Sequence, residues 1–219
     1  MSQWIARLSI ILVAILSPVS GQTAQQSKTT AEPLVLLRAL PLEVDSASIS
    51  GLQPSGLTFC GDQLLMVSDS HSQTVFSLDT GKASATVSSY LSLASIPQPE
   101  LDDYGFGTRW WSRLSKRYDW EGISCVMRGQ EKPQIYMLSE TLVQVLHRNA
   151  EGKLQWLGSE GYLAGREKGL FEQRNALAEG LAVSQDALVI AAERQPRGLV
   201  LMTSSQATYQ HNSKPEPKS

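Results

Sequence analysis

Trp120-Glu121-Gly122-Ile123-Ser124, then Ile135-Tyr136-Met137-Leu138-Ser139-Glu140, then Val143-Gln144-Val145-Leu146: the reading of this chain turns on these three pieces. Each is a short apolar run bounded by turn residues, which is a strand signal rather than a helical one. The pattern occurs twice more. Upstream it reads Pro-Ser-Gly-Leu-Thr (54–58), Leu-Leu-Met-Val-Ser-Asp (64–69) and Val-Phe-Ser-Leu (75–78). Downstream it reads Ala-Glu-Gly-Leu-Ala (178–182), Leu-Val-Ile-Ala-Ala-Glu (188–193) and Leu-Val-Leu-Met (199–202). In every copy a Ser or Glu precedes a glycine, a second strand runs into an acid, and a third strand follows. Gly56, Gly122 and Gly180 recur about every 60 residues, and a period of about 40 to 60 residues carrying three or four strands fits propeller blades. The expected fold class is therefore all-β and propeller-like, small or incomplete, with a short helical insertion. About 170 core residues make three long blades or four lean ones, whereas closed propellers use about four to eight. The chain is thus expected to be a minimal or open propeller, or part of one completed by another chain.

The rest of the 219 residues frames this core. Apolar residues are 42% and charged residues 18%, which excludes a disordered chain or a coiled coil. A net charge of −2 gives no reason to expect nucleic acid or an anionic bilayer as partner. At the N-terminus, Arg7 precedes an apolar run from Leu8 to Leu16, too short for a membrane span of about twenty residues. With Val19-Ser20-Gly21 behind it, 1–21 reads as a secretory signal cut after Gly21, and the mature chain as exported, periplasmic or secreted, with no transmembrane segment. Residues 22–33 read as a polar linker, 34–202 as the propeller-like domain, and 203–219 as a polar tail. Leu34-Val35-Leu36-Leu37 reads as the first strand of that domain.

Two sets of acids fall at equivalent places in the repeats. Glu121 and Glu179 stand just before their glycines; Asp69, Glu140 and Glu193 stand at the ends of the second strands. In neighbouring blades such residues converge near one axis, where like charges raise each other's pKa or recruit a cation. Hard oxygen ligands favour calcium or magnesium, and calcium tolerates irregular geometry. The expectation is a calcium site on Glu121 and Glu179 with help from Asp69, Glu140 and Glu193. The plainer alternative is that each acid accepts backbone hydrogen bonds from its adjacent turn.

Between the first two copies, 101–120 is unlike the rest. It is rich in aromatic residues, and Arg109, Arg113, Lys116 and Arg117 fall on one face of a short helix, with Thr108 as its cap and Trp110 and Leu114 on another face. Leading directly into Glu121, that basic stripe suits a small anionic or ester ligand, with Arg194 and Arg197 adding to the same pocket. The alternatives are a solvated helix face packed on the propeller by its tryptophans, and arginines paired with nearby carboxylates such as Glu193. Nucleophilic catalysis has little support: there is no Gly-x-Ser-x-Gly elbow, and only Asp69, Ser70 and His71 stand together as a conceivable triad. A metal-bound water with a Glu as base is the more natural hydrolytic chemistry. Cys60 and Cys125 lie at offsets from their glycines that direct them to opposite faces of successive blades. They form a disulfide if the blades converge there, and otherwise remain two buried thiols.

At Ser55-Gly56-Leu57 with Val67-Ser68-Asp69, at Asp119-Trp120-Glu121-Gly122-Ile123, at Asn175 through Glu179-Gly180-Leu181, and at Glu193-Arg194-Gln195-Pro196-Arg197, the chain resembles the phytase-like family, also called esterase-like activity of phytase. The resemblance implies an exported, often calcium-associated β-propeller with hydrolase activity, although such proteins usually carry more blades. Two functions follow as expectations. One is a metal-assisted hydrolase of phosphate or carboxylic esters, and the other a non-catalytic propeller that binds a ligand or protein partner.

Overall fold

The structure is a computed structural model that describes residues 39–44, 49–115, 118–129, 131–172, 177–193 and 197–203, with no account of the side chains of 111–115. The segments expected to be a signal (1–21) and a linker (22–33), the strand expected at 34–37, and Lys116, Arg117 and Arg194 lie outside the described residues. Among the described residues no helix is long and apolar enough to cross a membrane.

Among the described residues twelve strands form three sheets, one per repeat. The first sheet is a meander of β2 (Pro54–Cys60), β3 (Gln63–Ser68), β4 (Thr74–Asp79) and β5 (Ala85–Ser92). Strand β1 (Leu42–Val44) adds to its outer edge, parallel to β5. The second sheet runs β6 (Trp120–Val126), β7 (Gln134–Ser139), β8 (Gln144–Arg148) and β9 (Leu154–Trp156). The third runs β10 (Ala178–Val183), β11 (Ala187–Ala192) and β12 (Leu199–Thr203). Helix α1 (Phe106–Ser115) lies between the first and second sheets in sequence, and α2 (Glu160–Glu167) between the second and third. The fold is all-β and propeller-like, with three blade-like sheets and short helical insertions.

Local chemistry sets these elements. Gly61, at φ +61°, opens a two-residue loop between Cys60 and Gln63, the place where a tight hairpin needs a residue without a Cβ. At the β10–β11 turn Ser184 Oγ accepts the Ala187 N–H at 3.1 Å. Thr108 sits inside α1 rather than before it, so the expected cap is corrected: the helix begins two residues earlier, at Phe106. Thr203, expected to begin the tail, is the last residue of β12 and pairs with Ala187.

The sheets pack face to face through their first strands. Strand β6 contacts β2 on one side and β10 on the other. A core of Leu65, Val67, Val75, Ile123, Ile135 and Met137 fills the first interval, extended outward by Tyr104, Tyr118 and Trp120. Leu138, Val145, Leu188, Ile190 and Val200 fill the second, with Leu170 and Phe171. Trp120 is fully buried, donates Nε1–H to the Ser72 carbonyl at 2.8 Å and lies over Trp156. Trp110, in contrast, is 55% exposed, so this tryptophan does not pack its helix onto the sheets.

The innermost strands approach closely. A Cβ on Gly56 would stand 3.0 Å from the Ile123 nitrogen and 3.1 Å from the Gly122 Cα. A Cβ on Gly122 would stand 2.8 Å from the Leu181 Cβ. The repeated glycines are therefore what lets one inner strand lie against the next. Where the strands are this close, the expected disulfide forms: Cys60 and Cys125 are bonded, with their Cα atoms 5.3 Å apart.

Candidate functional site

Each inner strand carries a bulge at the same point. Pairing slips between Pro54 and Gly56, between Trp120 and Gly122, and between Ala178 and Gly180. The residue left over in each case is Ser55, Glu121 or Glu179. A bulge adds one residue, bends the strand and re-aims a side chain. The three equivalent residues are thus set apart from the ladder by the backbone itself.

The second set of acids is held by a device that repeats three times. The Asp69 N–H donates to the Gln53 carbonyl at 3.2 Å, the Glu140 N–H to the Asp119 carbonyl at 2.9 Å, and the Glu193 N–H to the Leu177 carbonyl at 3.4 Å. Each acid therefore stands just past its strand, one step beyond the bulge on the neighbouring inner strand.

Electrostatics shows which of these come together. The Glu121 carboxyl is pushed up from 4.5 to about 7, by burial first and then by Glu179, Asp69, Glu140 and Asp119. Four carboxylates from three sheets therefore act on one half-buried acid. Glu140 is also raised, by burial, against the opposing effect of the Leu177 N–H, which its Oε1 accepts at 3.2 Å. That bond ties the acid of the second sheet to the entry of the third, rather than to its own turn. Ser55, in the place of an acid, instead donates its hydroxyl to the Trp120 carbonyl. Asp119 is the member that sequence reasoning did not assign. It adopts φ +39° and accepts the Thr141 hydroxyl at Oδ2, 2.8 Å away. Its signal was its position two residues before Glu121.

A sign follows for stability. The folded chain holds the Glu121 proton more tightly than the unfolded chain, so between pH 4.5 and about 7 it binds the extra proton and loses stability as pH rises. Glu140 acts in the same direction. Because Glu121 keeps part of its surface in water, the loss is about 1 kcal/mol, well below what the full shift would give. Glu121→Gln is expected to melt roughly 2–4 °C above wild type at pH 8 and level with it at pH 4. An equal difference at both pH values would contradict the origin assigned here.

The basic residues are less gathered. Arg109 and Arg113 lie on α1, Arg109 partly exposed, and Arg197 is exposed just before β12. Lys168 and Glu167 form an exposed ion pair at 3.4 Å.

Asp69, Ser70 and His71 do not form a triad. Ser70 Oγ donates to the Gly51 carbonyl at 2.7 Å. Its single proton is used there, so at its 2.9 Å contact with His71 Nδ1 the imidazole is the donor. A histidine that donates to the hydroxyl cannot accept its proton as a general base.

Among known proteins, no family model matches this chain and no curated protein matches it. Among solved structures it is similar to virginiamycin B lyase from Staphylococcus aureus, at 7% identity and a TM-score of 0.34, over 69% of this chain and 41% of that one.

Proposed function

We propose that this chain is an exported propeller-type hydrolase of phosphate or carboxylic esters that works at the bulge carboxylates with a divalent cation, calcium by ligand chemistry. The observation that carries the reading is the Glu121 carboxyl, raised to about 7 by burial and by four other carboxylates. Such a group exchanges a proton near neutrality, which suits a general acid or base. The surrounding negative charge favours a bound cation over a bare cluster.

Among the described residues no three His, Cys, Asp or Glu side chains are grouped to hold a metal. A cation here would rest on Glu121 and Glu179, with carbonyl and water oxygens completing the roughly six to eight that calcium takes. Bound there, calcium would polarise an ester oxygen and lower the pKa of a water. Arg109, Arg113, Arg194 and Arg197 are the groups proposed to draw in an anionic ester. The phytase-like motifs support the substrate class, and the apolar run from Leu8 to Leu16 supports export.

The second reading is a propeller that binds a ligand or protein partner at the same end without turnover. The hydrogen-bond order at Ser70 and His71 favours it to the extent that it removes a side-chain nucleophile. Calcium chloride, titrated into the full chain during thermal unfolding, distinguishes these ideas when combined with para-nitrophenyl phosphate and acetate assays. At about 100 times the Kd, the ion is expected to stabilise the fold by about 2.7 kcal/mol, or roughly 5–10 °C. Glu121→Gln should lose that shift together with calcium-dependent turnover. A calcium shift without turnover favours the second reading, and no shift removes the cation from both.

A further inference from the structure

We infer that two copies of this chain pair head to tail, the outer face of the third sheet in each copy seated on the outer face of the first sheet in the other, to close a ring of six sheets. One contact between inner strands is made twice, Gly56 against Gly122 and Ile123, and Gly122 against Leu181.

Within the chain, the bare face of each repeat glycine receives the inner strand of the next sheet. Gly56 takes Gly122 and Ile123, and Gly122 takes Leu181. Gly180 is the third member of the series, and among the described residues a Cβ there would meet only Ala191 of its own sheet within 4 Å. The apolar residue after each glycine is the other half of the contact. Ile123 is 4% exposed, whereas Leu57, the first in the series, is 58% exposed. Among the described residues, the third sheet therefore presents an empty socket at Gly180 and the first an unused plug at Leu57. The second interval also repeats the first at the position of the disulfide: Val126 and Val183 share one core, where the first interval has Cys60 and Cys125. By the same offset, the residue that would enter the next interval is Phe59, 72% exposed.

The open face of the third sheet is suited to receive them. Register places Gly180, Ala182, Val189, Ala191, Leu199 and Leu201 on its outer side, without a charge among them. Leu199 is 69% and Leu201 57% exposed. Contiguous apolar surface of this kind marks an interface. The outer part of each interval is filled by residues that precede the incoming sheet in sequence: Leu93, Leu101 and Tyr104 before the second sheet, Leu170 and Phe171 before the third. The first sheet already has its filler. Ile49 and Leu52 pack on Met66, Phe76 and Val87, leaving the inner strand bare. This is the state of a sheet prepared for a neighbour.

A second copy is the occupant these observations select, because its two ends carry the complementary halves of one repeated contact. Head-to-tail contacts close into a ring when their rotation divides the circle. Three sheets from each copy make six, within the roughly four to eight that propellers use.

Sedimentation velocity of the full chain tests this. Wild type is expected at twice the chain mass at micromolar concentration. Leu57→Glu or Leu199→Lys should each weaken the dimer at least ~100-fold by placing an unpaired charge in a dry contact, with the circular dichroism spectrum unchanged. If Leu57→Glu fails to fold, Phe59→Glu carries the same expectation. A monomeric wild type, an open filament, or single variants that still dimerise as wild type does would each overturn the inference.

Discussion

Cys125→Ser is expected to lower the free energy of unfolding by about 4 kcal/mol. The bridge joins the inner strands of the first two sheets across 65 residues of sequence, closing a long loop in the unfolded chain. Its loss frees that loop, and the unfolded state gains the entropy. The native packing around it changes little, because the first interval keeps Leu65, Val67, Ile123 and Met137 in contact. The second interval has Val126 and Val183 in the equivalent place and needs no bridge. Urea unfolding of wild type, Cys60→Ser, Cys125→Ser and the double variant measures the effect. All three variants should lose the same amount, and reductant should bring wild type to their level. A loss below about 1 kcal/mol, or a reductant effect on the double variant, would place the stabilisation elsewhere.

The second large effect concerns Gly122. A Cβ there would stand 2.8 Å from the Leu181 Cβ, 3.1 Å from the Leu181 nitrogen and 3.4 Å from the Leu138 Cβ. Two of these neighbours belong to the next inner strand and one to the partner strand, so relief requires the sheets to separate. Gly122→Val is expected to cost about 3 kcal/mol, the upper end for overpacking a filled core. Gly105→Ala is the matched control: a Cβ at Gly105 meets nothing within 4 Å, and the change should stay within about 0.5 kcal/mol. Equal costs at both positions would mean that the sheets are not held at the spacing described.

These two predictions also show what the sequence could carry. The repeat was legible because a single constraint writes the same residues three times: an inner strand that must touch the next one needs glycine, and the bulge before it leaves a polar residue outside the ladder. Glu121 and Glu179 could be picked out for that reason, and Asp69, Glu140 and Glu193 by their place after an apolar strand. The meander positions of β3, β7 and β11 followed from their apolar runs. Strand β5 was missed. Ala85 and Val87 are buried, but the exposed serines at 88 and 89 and a register shift opposite Val75 and Phe76 break its alternation. Strands β1 and β9 are three residues each, too short to show a period. The aromatic insertion was visible as unusual composition, yet its division between a buried Trp120 and an exposed Trp110 depends on tertiary contacts. The cysteine offsets gave the faces of the two thiols, and only the close approach of the inner strands decided that they bond.

The Ser70–His71 contact illustrates a different limit. Residue identities alone left a triad conceivable, and the hydrogen-bond order removed it, since the Ser70 hydroxyl donates to the Gly51 carbonyl. Asp119 shows the reverse case, in which a residue quoted only as part of a motif proves to be one of the charges acting on Glu121.

Acids from all three sheets, Glu179, Asp69, Glu140 and Asp119, act electrostatically on the half-buried Glu121 carboxyl. Carboxyl-carbon NMR titration of Glu121, in wild type and in Glu179→Gln, measures this most directly. A midpoint near 7 that falls when Glu179 loses its charge is expected. A midpoint near 4.5 that is indifferent to Glu179 would contradict it.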